Sequence, residues 1–277
     1  MSSQIDIQSM AVFCDFENIA IGSREAQYAQ FDINKVLERL LIKGSIVVKK
    51  AYCDWDRYKE FKASMHEASF ELIEIPHIRQ SGKNSADIRM VVDALDLCYT
   101  KAHVDTFVII SGDSDFSPLV SKLRENNKFV IGVGVKMSSS DLLIANCDEF
   151  IYYDDLVRKK QKQSEDRRQT LPRKNVPPNH KHEPKSEKNE VDRIQTVLNI
   201  VAGTVEELLS ERGDDTKLWA SMVKQAIKRR NPGFNETYYG FRSFSKLLEE
   251  ASRHQLIELV LDPKSGGYVI KSVFHEE

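Results

Sequence analysis

Through the first 155 positions, short apolar runs alternate with amphipathic stretches. Met10-Ala11-Val12-Phe13-Cys14, Ile46-Val47-Val48 and Thr106-Phe107-Val108-Ile109-Ile110 are continuous and β-branched-rich, as strands buried on both faces are. Strands are also predicted at Phe70–Pro76, Lys128–Val135 and Glu149–Tyr153. Between them lie helical periodicities. Ile33, Val36, Leu37, Leu40 and Leu41 share one face of a predicted helix from Asp32 to about Gly44. Ile88, Val91, Val92, Leu95 and Cys98 form a second such set, and further helices are predicted over Asp56–Ser69, Pro118–Asn126 and Asp141–Ala145. Repeated strand–helix alternation predicts an α/β fold, a mostly parallel sheet with helices on both faces. Neither a GxGxxG nor a Walker lysine loop is present, so nucleotide binding has little support.

The pattern changes twice more. Residues 158–190 carry almost no apolar side chains and read as a basic disordered linker, because they cannot bury enough surface to offset ordering entropy. From 191 to 277 the helical period returns. Ile194, Val197, Leu198, Val201, Val205, Leu208 and Leu209 form one face; Trp219, Met222, Val223, Ala226 and Ile227 a second; Phe241, Phe244, Leu247, Leu248 and Ala251 a third. Alternating segments Leu256–Leu261 and Gly267–Lys271 around Asp262-Pro263-Lys264-Ser265-Gly266 predict a hairpin. Three helices and a two-stranded wing make a small winged-helix domain.

Chemistry is concentrated where the predicted strands end. The Thr106–Ile110 strand runs into Ser111-Gly112-Asp113-Ser114-Asp115-Phe116, and the Met10–Cys14 strand into Asp15-Phe16-Glu17-Asn18. Open α/β sheets bind ligands at the carboxyl ends of their strands. Asp87 opens the helix that follows the polar loop Arg79–Ser85. Carboxylates crowded at one edge repel one another unless a cation lies between them, and hard oxygen donors suit Mg²⁺ or Mn²⁺. Each acid alone also has a structural reading, as a helix cap or a turn residue. Asp93, further along the Asp87 helix, reads as solvated or supporting.

Asp15-x-x-Asn18, Gly82-Lys83-x-x-x-Asp87 and Ser-Gly-Asp113-Ser-Asp115-Phe together resemble the NYN domain, a branch of the PIN-like nucleases, over about 1–157. The resemblance implies a divalent-metal-dependent ribonuclease. It implies Asp15, Asp87, Asp113 and Asp115 as the Mg²⁺ or Mn²⁺ ligands, and Asn18 beside them in the catalytic site. Some relatives carry an extra acid next to the position of Asp87; here Ala86 and Ile88 flank it, which leaves the fourth ligand open. A strand-end Asp also serves phosphatases of the haloacid dehalogenase type, but those need an Asp-x-Asp pair, and Asp15 is followed by Phe16-Glu17. Residues 191–277 resemble the LOTUS (OST-HTH) domain through Lys224-x-x-Ile227-Lys228-Arg229, Phe234, Tyr239–Leu248 and Gly266-Gly267-Tyr268. That resemblance implies binding of RNA, single-stranded or structured, or docking of a protein partner. The candidate RNA contacts are Lys83 in the first domain and Lys224, Lys228, Arg229, Arg230, Tyr239 and Arg242 in the second, basic groups for phosphates and an aromatic for stacking. The alternative function is a non-catalytic RNA-binding or docking adaptor with a vestigial acidic site.

Charge sharpens this division. The chain of 277 residues has a formal net charge of -2, with 40 basic and 42 acidic residues. Residues 1–157 hold 24 acids against 17 bases, whereas 158–192 hold 6 acids against 11 bases. The basic segment has the sign to attract phosphates. No apolar run approaches a membrane span, and Met1-Ser2-Ser3-Gln4 lacks the basic and apolar regions of a signal peptide, so a cytoplasmic protein without membrane contact is expected. Cys14, Cys53, Cys98 and Cys147 fall in predicted buried elements without a CxxC pair, and read as buried thiols, not zinc ligands.

Overall fold

The computed structural model describes residues 8–28, 30–75, 85–158, 186–212, 217–263 and 265–274. The chain divides into two compact units, Met1–Leu171 and Pro172–Glu277.

The first unit holds β1 (Gln8–Asp15), α1 (Phe16–Glu25), α2 (Ile33–Leu41), β2 (Gly44–Cys53), α3 (Lys59–Glu67), β3 (Glu71–Glu74), α4 (Ser85–Thr100), β4 (Thr106–Ile110), α5 (Ser117–Glu125), β5 (Phe129–Gly134), α6 (Asp141–Asn146) and β6 (Glu149–Tyr152), with a helical segment at 153–158. The six strands form one sheet in the order β3-β2-β1-β4-β5-β6, and every pairing is parallel. The strand order reverses between β1 and β4. That is the topological switch point, where the flanking connections leave on opposite faces and open a crevice.

Side-chain alternation builds two cores. Met10, Val12 and Cys14 of β1 and Val108 and Ile110 of β4 face a core with Phe16 and Ile19 of α1, Val36 and Leu40 of α2 and Met65 of α3. Ala11, Phe13, Phe107 and Ile109 face the other, with Met90 and Ala94 of α4, Leu119 and Leu123 of α5 and Leu143 of α6. Covering on both faces explains why β4 is apolar at every position after Thr106 and buried throughout. The four cysteines are buried and unpaired.

Three differences from the sequence reading matter. First, α1 was not anticipated: its sequence, FENIAIGSRE, mixes polar and apolar residues with a glycine. It forms because Asp15 caps it, its side chain accepting from the Asn18 N–H at 3.4 Å, and because Phe16, Ile19 and Ala20 are buried. Second, α4 is turned only partly from its predicted face: Val91, Leu95 and Cys98 lie in or against the core as expected, but Ile88 and Val92 do not. Ile88 and Val92 are 61% and 56% exposed, while Met90, Ala94 and Cys98 are buried. A helix with apolar residues most of the way round does not fix its own orientation. The observed rotation buries Met90, and Asp87, one turn earlier, is half-buried with it. Third, Asp93 is not a solvated acid. It accepts from the Tyr52 hydroxyl at 2.9 Å and Lys50 Nζ at 3.3 Å, and Arg89 Nε lies 3.1 Å away.

In the second unit, α7 (Ser186–Arg212) begins five residues inside the segment read as linker. Its first turn, Ser-Glu-Lys-Asn-Glu, is polar but helix-competent and is continued by an amphipathic run. It is followed by β7 (Leu218–Trp219), α8 (Ala220–Arg230), a short 3₁₀ turn (Glu236–Tyr239), α9 (Phe244–Arg253), β8 (Ile257–Leu261) and β9 (Tyr268–Val273). The wing has three strands, in the order β7-β9-β8 and antiparallel, because Leu218-Trp219 adds a strand where a helix start was predicted. Val197, Leu198, Val201, Val223, Ile227, Phe244, Leu247, Leu248 and Ile270 share its core.

Candidate functional site

The register of β1 and β4 brings the first two motifs together. Cys14 pairs with Ile110, so Asp15 and Ser111 leave the sheet side by side at the switch point. Ser111 Oγ donates to Asp15 Oδ2 at 2.9 Å, and the Asp113 N–H donates to Ser111 Oγ at 3.2 Å. The Gly112 N–H donates to Asn18 Oδ1 at 2.8 Å, and the Ser140 N–H to the Gly112 carbonyl at 2.9 Å. The ends of β1 and β4 and the loop after β5 are thus stitched into one edge. Gly112 is required there: a Cβ would lie 2.5 Å from the Ser138 carbonyl oxygen.

Asp113 is half-buried and accepts from the Asp115 N–H at 3.0 Å, while Asp115 is exposed in the following 3₁₀ turn. Asp87 reaches the same edge from the first turn of α4. Charge shows the convergence. Asp15, only 8% exposed, is pushed up to about 7 by burial and by the charge of Asp87; the Ser111 hydroxyl and the Asn18 N–H oppose this, and Asp113 adds to it. Asp87 is raised to about 6 by burial and by the charges of Asp113, Asp115 and Glu17. The four predicted acids therefore lie in one another's field, from three separate stretches of chain.

Glu17 is a fifth acid at this edge that the sequence reading left unassigned. Its carboxylate lies 3.2 Å from Arg57 Nη1, and its charge helps to raise Asp87. The signal was adjacency: Glu17 stands inside the Asp15-x-x-Asn18 motif itself. Lys83 lies outside the described residues, as does nearly all of the predicted linker.

The donor set tests whether a divalent ion suits this edge. Four carboxylates supply hard oxygen donors, and both causes that raise Asp15 and Asp87, burial first and the neighbouring carboxylates second, are ones that a bound cation would offset. Chemistry and charge fit. Among the described residues, however, no three acid, His or Cys side chains stand close enough as placed to hold an ion together.

The winged-helix candidates are arranged differently. Lys224 is committed to Glu236, 2.8 Å away, and lies over the Phe244 ring. Arg230 pairs with Glu207, and Lys228 lies in the field of Glu236. Tyr239 packs against the core, stacked on Phe234 with centroids 6.0 Å apart. Arg229 and Arg242 are exposed and have no ion pair or hydrogen bond among the described residues.

An all-parallel doubly wound sheet with acids near its switch point, in a chain that also carries a winged-helix unit, is the architecture of a PIN-like α/β domain with an accessory domain. The chain belongs to the NYN domain family, matching that domain over residues 9–154; residues 196–260 match the OST-HTH/LOTUS domain. It is similar to meiosis regulator and mRNA stability factor 1 of Xenopus tropicalis, 27% identical over 154 residues, 56% of this chain and 9% of that protein. It is 29% identical over 112 residues to an uncharacterized protein of Methanocaldococcus jannaschii, covering 40% of this chain and 43% of the other. The chain therefore spans less than half the length of either relative. A solved structure from Vibrio parahaemolyticus, of a protein of unknown function, is 29% identical and covers 56% of this chain and 98% of its own, with a TM-score of 0.49. Among the described residues no helix is long and apolar enough to cross a membrane.

Proposed function

We propose that this protein is a divalent-metal-dependent ribonuclease, an endoribonuclease, with the winged-helix unit as an accessory RNA-binding module. The observation that carries the reading is the elevation of both Asp15 and Asp87 by burial and by neighbouring carboxylates, Asp87 and Asp113 for the first and Asp113, Asp115 and Glu17 for the second. Such repulsion costs folding free energy, and a site that keeps it is built for a cation.

Asp15, Asp87, Asp113 and Asp115 would hold Mg²⁺ or Mn²⁺. When bound, such an ion lowers the pKa of a coordinated water and offsets charge on the phosphodiester in an in-line displacement. The chain's own groups set the geometry. Ser111 and the Asn18 N–H fix both carboxylate oxygens of Asp15, and the Asp113 turn is anchored on the same hydroxyl. Asp87 and Asp115 sit in first turns, and binding an ion would require their side chains to turn toward Asp15 and Asp113. Arg229 and Arg242 would engage phosphates and raise the local concentration of RNA at the acidic edge.

The rival reading, a non-catalytic RNA-binding adaptor, draws on the open arrangement of the acids among the described residues. Cleavage of a labelled RNA with Mn²⁺, with and without chelator, separates the two. The expected result is metal-dependent cleavage, lowered by ~100-fold or more in Asp113→Asn. Equal cleavage by wild type and variant would remove the nuclease assignment.

A further inference from the structure

The amide of Asn18 has a fixed polarity. The Gly112 backbone N–H can only donate, so the Asn18 atom 2.8 Å from it is the carbonyl oxygen, Oδ1. Gly112 is held in turn: its own carbonyl accepts from the Ser140 N–H at 2.9 Å, and its Cα faces the Ser138 backbone with no room for a side chain. Turning the amide over would set an NH₂ group against that N–H and leave both unpaired. Asn18 is also anchored through its main chain, in the first turn of α1 with its N–H toward Asp15 Oδ1.

The other end of the amide is uncommitted. Nδ2 has no hydrogen-bond partner among the described residues, and Asn18 is half-buried. The buried side-chain atoms without a partner among those residues are Ser23 Oγ and Ser117 Oγ, so Nδ2 is not shut inside. A neutral donor is thus presented beside Asp15. The nearby described cation, Arg57, is taken up by Glu17.

We infer that Asn18 binds the substrate directly, donating from Nδ2 to a non-bridging phosphate oxygen of an RNA strand laid along the switch-point edge, and that it is not a metal ligand. Hard divalent cations take oxygen donors, and the oxygen of Asn18 is the end turned to the Gly112 backbone; the end left uncommitted is the amide nitrogen, which such a cation does not take. An amide N–H needs an acceptor, and phosphodiester oxygens are the strong acceptors that recur along a nucleic acid. A neutral donor fits here because it leaves the field of the acids intact for a cation. The inference rests on the reading of RNA as substrate class, but it assigns a role that cleavage alone does not report.

Two variants of the full chain test it. Asn18→Asp keeps an oxygen for the Gly112 N–H and removes the donor; Asn18→Ala removes both without adding charge. Binding of a four-nucleotide single-stranded RNA is measured by fluorescence anisotropy in chelator, and Mn²⁺ affinity by calorimetry without RNA. The expected result is a loss of RNA affinity of roughly tenfold in both variants, with Mn²⁺ affinity of Asn18→Ala within about twofold of wild type. An unchanged melting temperature for Asn18→Asp checks that the edge is intact. RNA affinity unchanged in Asn18→Ala, a loss confined to the Asp variant, or a tenfold loss of Mn²⁺ affinity in Asn18→Ala would each overturn the inference. If wild type fails to cleave RNA while both variants bind it more weakly, the nuclease reading falls and the role of Asn18 stands. If wild type cleaves RNA while both variants bind it as tightly as wild type, the nuclease reading stands and the role of Asn18 falls.

Discussion

The acidic edge of the parallel sheet and the winged-helix unit treat their charges in opposite ways. At the edge of the parallel sheet, Asp15 and Asp87 are raised, to about 7 and about 6, by burial and by one another's neighbours. In the winged-helix unit the carboxylates are held down. Burial works against ionisation of Glu236, but Lys224 keeps it below its ordinary range; Arg230 does the same for Glu207, and Ser265 and Lys217 for Asp262. The winged-helix carboxylates are matched by their own neighbours, as Asp93 is in the first unit, and the acids of the sheet edge are not. An unresolved cluster costs stability unless a ligand completes it, so it marks the place where the chain meets something else. Inside the winged helix the same logic narrows the RNA contacts: Lys224 and Arg230 are spent on partners, while Arg229 and Arg242 are left for phosphate.

The largest effect expected from breaking this contrast is at Asp15. Its folded value is raised above the ordinary 3.8, so its contribution to stability is complete below about pH 3.8 and is lost as pH rises through about 7. Asp87 acts in the same direction, up to about 6. The metal-free protein should therefore lose stability between pH 4 and pH 8. Asp15→Asn should abolish most cleavage, by ~1000-fold, yet stabilise the metal-free chain at pH 8 by about 2 kcal/mol, a rise of several degrees in Tm. Melting curves across pH check the sign: a variant less stable than wild type at pH 8 would mean that the repulsion is not there.

Gly112→Ala should have the next largest effect. The added Cβ meets backbone, the Ser138 carbonyl, and neither side can yield cheaply. A destabilisation of about 1–3 kcal/mol and a fall in cleavage of roughly tenfold or more are expected, read from denaturant unfolding and initial rates. Wild-type rates in this variant would show that the edge need not be rigid.

On the winged helix, Arg229→Ala with Arg242→Ala should weaken RNA binding about tenfold at low salt and flatten its salt dependence. The Lys224→Ala variant should instead lose mainly stability, since its partner Glu236 is left half-buried and uncompensated. Salt titrations of binding for both variants decide which lysines and arginines face RNA. The smallest effect expected is from Glu236→Gln, ~1 kcal/mol of stability at pH 7, fading as pH falls below the ordinary Glu range because Glu236 is held down only while ionised.

Much of the sheet was legible because fully buried parallel strands are apolar at nearly every position, as in Phe107–Ile110. Asp15, Asp113 and Asp115 were legible as residues that follow strands, and the switch point explains why Asp15 and Asp113 leave the sheet from neighbouring strands. Less legible was α1, whose formation depends on a cap and a core supplied from elsewhere in the chain. The rotation of α4 was hidden because Ile88, Met90, Val91, Val92 and Ala94 are all apolar, and only packing against the sheet chooses among them. That choice sets Asp87: the sequence period placed Val91, Leu95 and Cys98 toward the core correctly, but put Ile88 and Val92 where Met90 and Ala94 are buried. Glu17 stands inside the Asp15-x-x-Asn18 motif, but no sequence feature assigned it a role until its field at Asp87 was seen. The pairings of Lys224 and Arg230 join residues 12 and 23 positions apart, beyond what helical spacing shows.

The most direct test is diffraction from crystals of the full chain grown with Mn²⁺, with anomalous data at the manganese edge. The account predicts a peak at the carboxyl end of β1 and β4, within coordination distance of Asp15, Asp113 and Asp87, and lost in Asp113→Asn. No peak at that edge under saturating Mn²⁺, with Asp15 and Asp87 still apart, would contradict it.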